Sequence, residues 1–250
     1  MVYQSGEGHI PSSFSVLEIL ETLYKSVLQF DSERPDYKER DFFVLSKGHG
    51  AAALFAVLHS YGFLTDADIH EYGSPKGILG GHPDSTRVPG AEFSTGSLGH
   101  GLPMSVGVAM GLKIDSLRNQ VFVLVGDGEC HEGTVWESAN VATNNKLDNL
   151  TVIVDWNGSA AQLMPQDDLP AKWEAFGWET LVIDGHAANE IQNAALKPRI
   201  EGTPRAIIAK TTKGFGVDFI MGHGQWHHRI PSEEEMSSIR NVLLAGGDQN

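Results

Sequence analysis

The chain has one cysteine, Cys130, among its 250 residues. A single thiol excludes an internal disulfide and fits a reducing, cytoplasmic setting. No apolar run approaches the ~20 residues of a membrane-spanning helix. The amino terminus lacks the basic and apolar regions of a secretory signal. Basic residues are few: 18 Lys and Arg stand against 32 Asp and Glu, a formal net charge of −14. That balance argues against nucleic acid or an anionic membrane as partner. Internal repeats and low-complexity tracts are absent as well. Nothing signals a second domain, so residues 1–250 are expected to form one α/β domain with a sizeable core.

What the chain does have is concentrated between Val121 and Asn157. The run Val121-Phe122-Val123-Leu124-Val125 leads into Gly126-Asp127-Gly128 and Glu129-Cys130-His131-Glu132-Gly133. A helical segment follows from Thr134 to about Lys146. A second apolar run, Leu150 to Val154, then ends in Asp155-Trp156-Asn157. Two β-branched runs separated by a helix-length segment describe a βαβ unit whose parallel strands are buried on both faces. The right-handed crossover brings both strand ends to one sheet edge, where open α/β sheets bind ligands. Asp127 and Asn157 leave adjacent strands there and can serve one hard cation, Mg²⁺ or Ca²⁺. Gly126 and Gly128 are expected to allow a tight turn close to a phosphate. The helix beginning near Gly133 would offer N–H groups to an anion. Metal plus diphosphate is the natural occupant.

The remaining chain reads as alternating strands and helices. Ser5 to Ser12 is expected to be a loop, followed by a helix opened by the capping box Ser15-Val16-Leu17-Glu18. The charged run Asp31 to Asp41 reads as a solvated connection. Strands are expected at Phe42–Leu45, Trp178–Ile183 and Arg205–Lys210, and helices at Ala51–Tyr61, from near Leu102, at Pro170–Gly177 and from Ser232. His49 sits between two glycines at a strand-to-helix turn, which favours function. The long Gly-, Pro- and Ser-rich stretch Gly73–Gly101 holds Gly81-His82-Pro83 and Thr95-Gly96-Ser97-Leu98-Gly99-His100-Gly101, and a loop of that length is usually functional. His223, His227 and His228 cluster without the cysteine or carboxylate that would complete a zinc set. His186 reads as structural.

The order Gly126-Asp127-Gly128, helix, apolar strand, Asn157 resembles the thiamine diphosphate and metal motif. The wording from Gly126 to Gly133 resembles the transketolase family in particular. The resemblance extends from Ser5 to about Pro231 and implies a thiamine diphosphate-binding fold: a parallel sheet with helices on both faces. It implies that Asp127, Asn157 and the backbone carbonyl of Ser159 hold the metal. His49, in Ser46-x-Gly48-His49-Gly50, would lie beside the diphosphate, as would His227 or His223. His9 and His82 would face the sugar, with His100 standing where a Gln is common. The backbone of Gly96-Ser97-Leu98 would lie against the cofactor, with Gly126, Gly128 and Glu129 also lining it. Glu132 would act at a subunit contact. Gly158-Ser159-Ala160-Ala161-Gln162 departs from the family, which has a longer side chain after the Asn.

What the resemblance covers is only the diphosphate-binding half of a transketolase. The family's pyrimidine-binding domain, with the carboxylic acid that activates the cofactor, would not fit in the tail from Ser232 to Asn250. The implied protein is the N-terminal subunit of a two-chain transketolase. Its partner would be a C-terminal, pyrimidine-binding subunit, with two copies of each in the assembly. The enzyme would pass a two-carbon ketol unit from a ketose to an aldose, with histidines moving protons near neutral pH. Two alternatives stand beside it. One is another thiamine diphosphate enzyme, such as an acyloin-forming synthase or a 2-oxo acid dehydrogenase α subunit. The other is a non-catalytic scaffold binding Mg²⁺ and diphosphate.

Overall fold

The computed structural model describes residues 1–162, 164–166, 168–222, 224, 226 and 228–247. Five parallel strands form one sheet: β1 (Phe42–Leu45), β2 (Val121–Gly126), β3 (Leu150–Trp156), β4 (Glu179–Asp184) and β5 (Arg205–Lys210). Their spatial order is β1-β2-β3-β5-β4. All five expected strands are present. The central ones, β2, β3 and β5, are short β-branched runs that bury both faces.

The alternation of side chains builds two cores. Phe122 and Leu124 of β2, Ile153 of β3 and Ile207 of β5 face helices Leu17–Ser26, Ala51–Ser60 and Ala188–Leu196. Val121, Val123 and Val125, with Val152, Val154 and Ile208, face helices Gly101–Ile114, Gly133–Asn144 and Leu169–Ala175. Helices therefore cover both sides of the sheet, as expected from βαβ units.

The first thirty residues depart from expectation. Ile10–Phe14 is a short helix that begins inside the expected Ser5–Ser12 loop, and Val2–Ser5 forms another ahead of it. The helix Leu17–Ser26 starts without a side-chain cap. Ser15 does not cap it, because its hydroxyl is drawn 2.9 Å to buried Asp155, while Glu18 turns to His186. Tertiary partners thus outcompete a local capping signal. A further helix, Asp66–His70, opens with a true capping box between Thr65 and Asp68. Between His70 and Gly101 no helix or strand forms, in agreement with the Gly-rich composition.

At the amino ends of the strands, buried charge is closed off locally. Arg205 is fully buried; its Nε donates to Glu179 at 2.8 Å, and its remaining N–H groups reach the carbonyls of Ala194, Ala195, Lys197 and Pro198. Asp41 accepts the backbone N–H groups of Gln29 and Gln120 at 2.9 and 2.7 Å, tying β1 to β2.

Candidate functional site

The carboxyl edge of the sheet is organised around Asp155, which is fully buried near the end of β3. Its carboxylate accepts hydrogen bonds from Lys47 Nζ, Thr211 Oγ1, Ser15 Oγ and Asn157 Nδ2. Lys47, at the end of β1, also donates to the Ser12 carbonyl at 3.1 Å and to Ser15 Oγ at 2.8 Å. Four chain segments thereby meet at one carboxylate, including helix Ile10–Phe14, whose first turn follows His9. A buried ion pair of this kind persists because each remaining lone pair and proton has a partner.

Asp127 follows β2 one strand over. It is 4% exposed, and its backbone N–H reaches the Asp155 carbonyl at 3.1 Å. Burial, and next the negative charge of Asp155, push its carboxyl above the usual range. Its Oδ1 accepts from Gly128 N at 2.7 Å. The Asn157 amide is held between Asp155 and its own turn, with Oδ1 accepting the Ser159 N–H at 2.9 Å. Lys213 is buried close enough to feel both aspartates, and burial followed by the Lys47 charge pulls its ammonium down. Two carboxylates and two ammonium groups leave the inner layer balanced. Asp127 and Asn157 carry hard oxygen donors at its outer margin, and burial makes the Asp127 charge unfavourable without a cation. That donor set fits a hard divalent cation.

The backbone conformation at Gly126 and Gly128 does not itself require glycine, as neither is left-handed. A Cβ on Gly128 would meet only Ala160, at 3.7 Å. A 3-10 turn, Gly128–His131, also intervenes before the helix at Gly133.

Glu129 ties the loops of the site together. It is 1% exposed and accepts from Ser46 Oγ, from Gly99 N at 2.8 Å and from Gly126 N at 3.2 Å. Ser46 Oγ in turn accepts from Gly101 N at 3.0 Å. Burial pushes the Glu129 carboxyl up despite these donors. With its carboxylate taken by protein groups, its backbone is what remains to meet a cofactor.

His9, His49 and His82 converge although they come from three distant segments. One ring nitrogen from each lies within 4.8 Å of the other two. Ring centroids of His9 and His49 are 4.6 Å apart, and those of His49 and His82 are 5.7 Å apart. His228, noted in the sequence only as one of a histidine cluster, adds a ring 4.8 Å from His9. The convergence needs glycine at Gly48, where a Cβ would come within 2.7 Å of the His82 ring and 2.9 Å of the Gly96 backbone. Gly96, at φ +144°, brings the Gly96-Ser97-Leu98 segment against that ring. His223 and His227 lie outside the described residues.

Three further residues have clear placements. His100 is exposed, and its Nδ1 donates to the carbonyls of Ser97 and Leu98 at 3.2 and 3.0 Å. His186 accepts the Thr212 N–H on Nε2 at 2.8 Å, turns Nδ1 to Glu18 at 3.0 Å and stacks on Phe215, a structural arrangement. Cys130 is buried, and burial pushes its thiol well above its ordinary range, so it acts as a filler. Lys47, Asp155 and the loop-tying role of Glu129 were missed in the sequence. The available signal was the charged residue at the end of each buried strand, where only a polar partner or a ligand makes burial tolerable.

Residues 1–248 match the family model described as the thiamine diphosphate binding domain of transketolase. The chain belongs to the transketolase family. This transketolase domain is 38% identical over 234 residues to one of the separate subunits of the apulose-4-phosphate transketolase of Actinobacillus succinogenes, covering 92% of this chain and 85% of that one. It is 37% identical to a 6-deoxy-6-sulfo-D-fructose transketolase subunit, SqwG, of a Clostridium species, covering 92% and 86%. Human transketolase is 39% identical over 248 residues, but only 39% of its length is covered. Among solved structures, transketolase from Leishmania mexicana superimposes with a TM-score of 0.86 at 27% identity, over 96% of this chain and 38% of that one. The domain thus corresponds in length to the separate subunits and to less than half of the single-chain enzymes. It is the thiamine diphosphate-binding part of a transferase.

Proposed function

We propose that this chain is the N-terminal subunit of a two-chain transketolase that transfers a two-carbon ketol unit from a ketose to an aldose. The observation that carries this reading is the meeting of His9, His49 and His82 at the edge that bears Asp127 and Asn157. A scaffold that only held diphosphate and metal would have no use for the histidine trio. The relatives that are themselves separate transketolase subunits favour ketol transfer over an acyloin-forming synthase or an oxo acid dehydrogenase.

In this reading Asp127, Asn157 Oδ1 and the Ser159 carbonyl hold Mg²⁺ or Ca²⁺, which balances the diphosphate above an inner layer that is already neutral. Thiamine diphosphate supplies the electron sink for carbon–carbon cleavage. The chain's own residues bind, orient and move protons. His49 and one of His227 and His223 neutralise the diphosphate side. His9 and His82 face the sugar, where imidazole can accept and return hydroxyl protons near pH 7. Gly96 to Leu98, Gly126 and Gly128 give the cofactor a close backbone wall, and Glu129 keeps those loops in register. A pyrimidine-binding C-terminal subunit completes the site, in an assembly of two copies of each chain, with Glu132 and the Gly73–Gly101 loop at the contact. The enzyme acts in the cytoplasm. Among the described residues no helix is long and apolar enough to cross a membrane.

The test is ketol transfer by the purified chain with thiamine diphosphate, Mg²⁺, a ketose and an aldose, with and without the partner subunit. Turnover is expected only with the partner. Full turnover by the chain alone would overturn the two-chain reading.

A further inference from the structure

The opposite edge of the sheet carries a large cavity that the active site does not use. At the amino ends of β1, β2 and β5, a cleft of about 680 Å³ opens between the segments around Asp41, Ser116–Gln120 and Lys197–Arg199. A second cavity of about 530 Å³ adjoins it and shares Ser116, Leu117, Arg118, Gln120 and Arg199. With β2 six residues long, this cleft lies roughly 20 Å from the histidine trio.

The charges of the cleft are unevenly matched. Lys113 is paired with Asp148 at 2.7 Å, and Lys197 with Glu179 at 2.7 Å. Asp41 is committed to two backbone N–H groups. Among the described residues, neither Arg118 nor Arg199 has a carboxylate oxygen within 4.0 Å. Arg199 uses one N–H on Thr151 Oγ1, at 2.6 Å, and Arg118 makes no side-chain hydrogen bond there. Glu39 and Asp41 also line the cleft, and Asp148 the adjoining cavity, yet none of them forms an ion pair with either guanidinium. Arg199 is also half-buried, and burial, with the nearby Arg205 charge, pushes it down to about 10. Glu179, Asp148 and Asp41 favour its cationic form from beyond ion-pair distance, without offsetting the burial.

We propose that this amino-end cleft binds the phosphate group of a small phosphorylated molecule between Arg118 and Arg199. Each guanidinium is a planar fork suited to two oxygens of one anion. Two forks from different walls call for more oxygens than one carboxylate offers, and a phosphate monoester has three. Ser116, held at φ +58° on the rim of both cavities, adds a hydroxyl donor. The site is separate from the reaction edge and independent of the function proposed above.

The experiment is calorimetric titration of the full chain, with its partner subunit where one co-purifies, using inorganic phosphate and glycerol phosphate. Ionic strength is held constant and EDTA is present, and the titration is repeated with Mg²⁺ and thiamine diphosphate loaded. Saturable binding is expected, undiminished by the cofactor. Arg118→Gln should weaken it roughly tenfold or more, the loss of charge-assisted hydrogen bonds. Arg118 is exposed, so this variant keeps the fold whatever Arg199→Lys does. The proposal is overturned if phosphate does not bind, if malonate binds as well as phosphate, if the cofactor abolishes binding, or if Arg118→Gln binds as the parent does.

Discussion

The two edges of the sheet handle buried charge in opposite ways. At the amino edge, Arg205 with Glu179 and Lys113 with Asp148 form closed pairs, and Asp41 is spent on backbone N–H groups. Arg118 and Arg199 are the exceptions, with no carboxylate oxygen within 4.0 Å among the described residues. At the carboxyl edge, Asp155 is shared among Lys47, Ser15, Thr211 and Asn157, while Asp127 beside it stays ionisable at a cost. An edge built of closed pairs holds strands in place. An edge built on one shared carboxylate, beside a second that accepts from backbone N–H groups, has a donor set that suits a cation at its outer margin.

The largest effect that would test this contrast is on turnover. His9→Ala and His82→Ala, assayed with the partner subunit, should lose about 10²–10⁴-fold in ketol transfer. Their thiamine diphosphate affinity should stay near that of the parent. If cofactor binding falls instead, the sugar-facing and diphosphate-facing walls are interchanged.

Next in size is the stability of the shared hub. Lys47→Met leaves Asp155 buried without its cation and should cost about 3–5 kcal/mol in urea denaturation. Adding Asp155→Asn to that variant should restore part of the loss. Simple additivity of the two substitutions would mean that the hub is a set of unrelated contacts.

Asp127→Asn should act in two directions. Calorimetry should show Mg²⁺-dependent cofactor affinity reduced by roughly 10–100-fold. Without metal, the same variant should be the more stable protein near neutral pH. The folded-state pKa of Asp127 is raised, so its contribution to stability is fully present below the unfolded value and is lost as pH rises through the folded one. Thermal melts in EDTA should therefore favour Asp127→Asn increasingly as pH climbs through that window. Parallel melting curves for parent and variant would contradict the assignment.

The smallest effect belongs to Glu129→Gln. Its acceptors serve Ser46, Gly99 and Gly126, and replacing one oxygen by an amide turns a donor toward donors. A loss of about 1–3 kcal/mol in stability is expected, accompanied by weaker cofactor binding as the loops loosen. Unchanged melting would remove Glu129 from the positioning role.

Most of the fold was legible in the chain because β2, β3 and β5 are continuous apolar runs with no competing helical period. Asp127 and Asn157 were legible for the same reason: a polar residue just past such a run has to emerge at the sheet edge. What escaped was non-local. Nothing near Ser15 reveals that its hydroxyl belongs to Asp155, 140 residues away, so the local pattern read as a helix cap. Lys47 was overlooked beside His49, although a lysine closing a buried strand requires an acid within reach. Gly48 was read as turn punctuation, whereas the His82 ring is what forbids a side chain there.

The strand order also bears on how the chain is made. β5 lies between β3 and β4, yet it is synthesised after both. From Trp156 to Lys210 the growing chain carries a completed β1-β2-β3 half-sheet whose outer edge has no neighbour, and then a β4 with nothing to pair with. At translation rates of about 5–20 residues per second, that interval lasts roughly 3–10 s. During it the bare flank of β3, rich in Val and Ile, is open to any other extended segment. A nascent chain stalled before Arg205 should therefore be a client for chaperones, while one that has released Lys210 closes the gap by inserting its last strand.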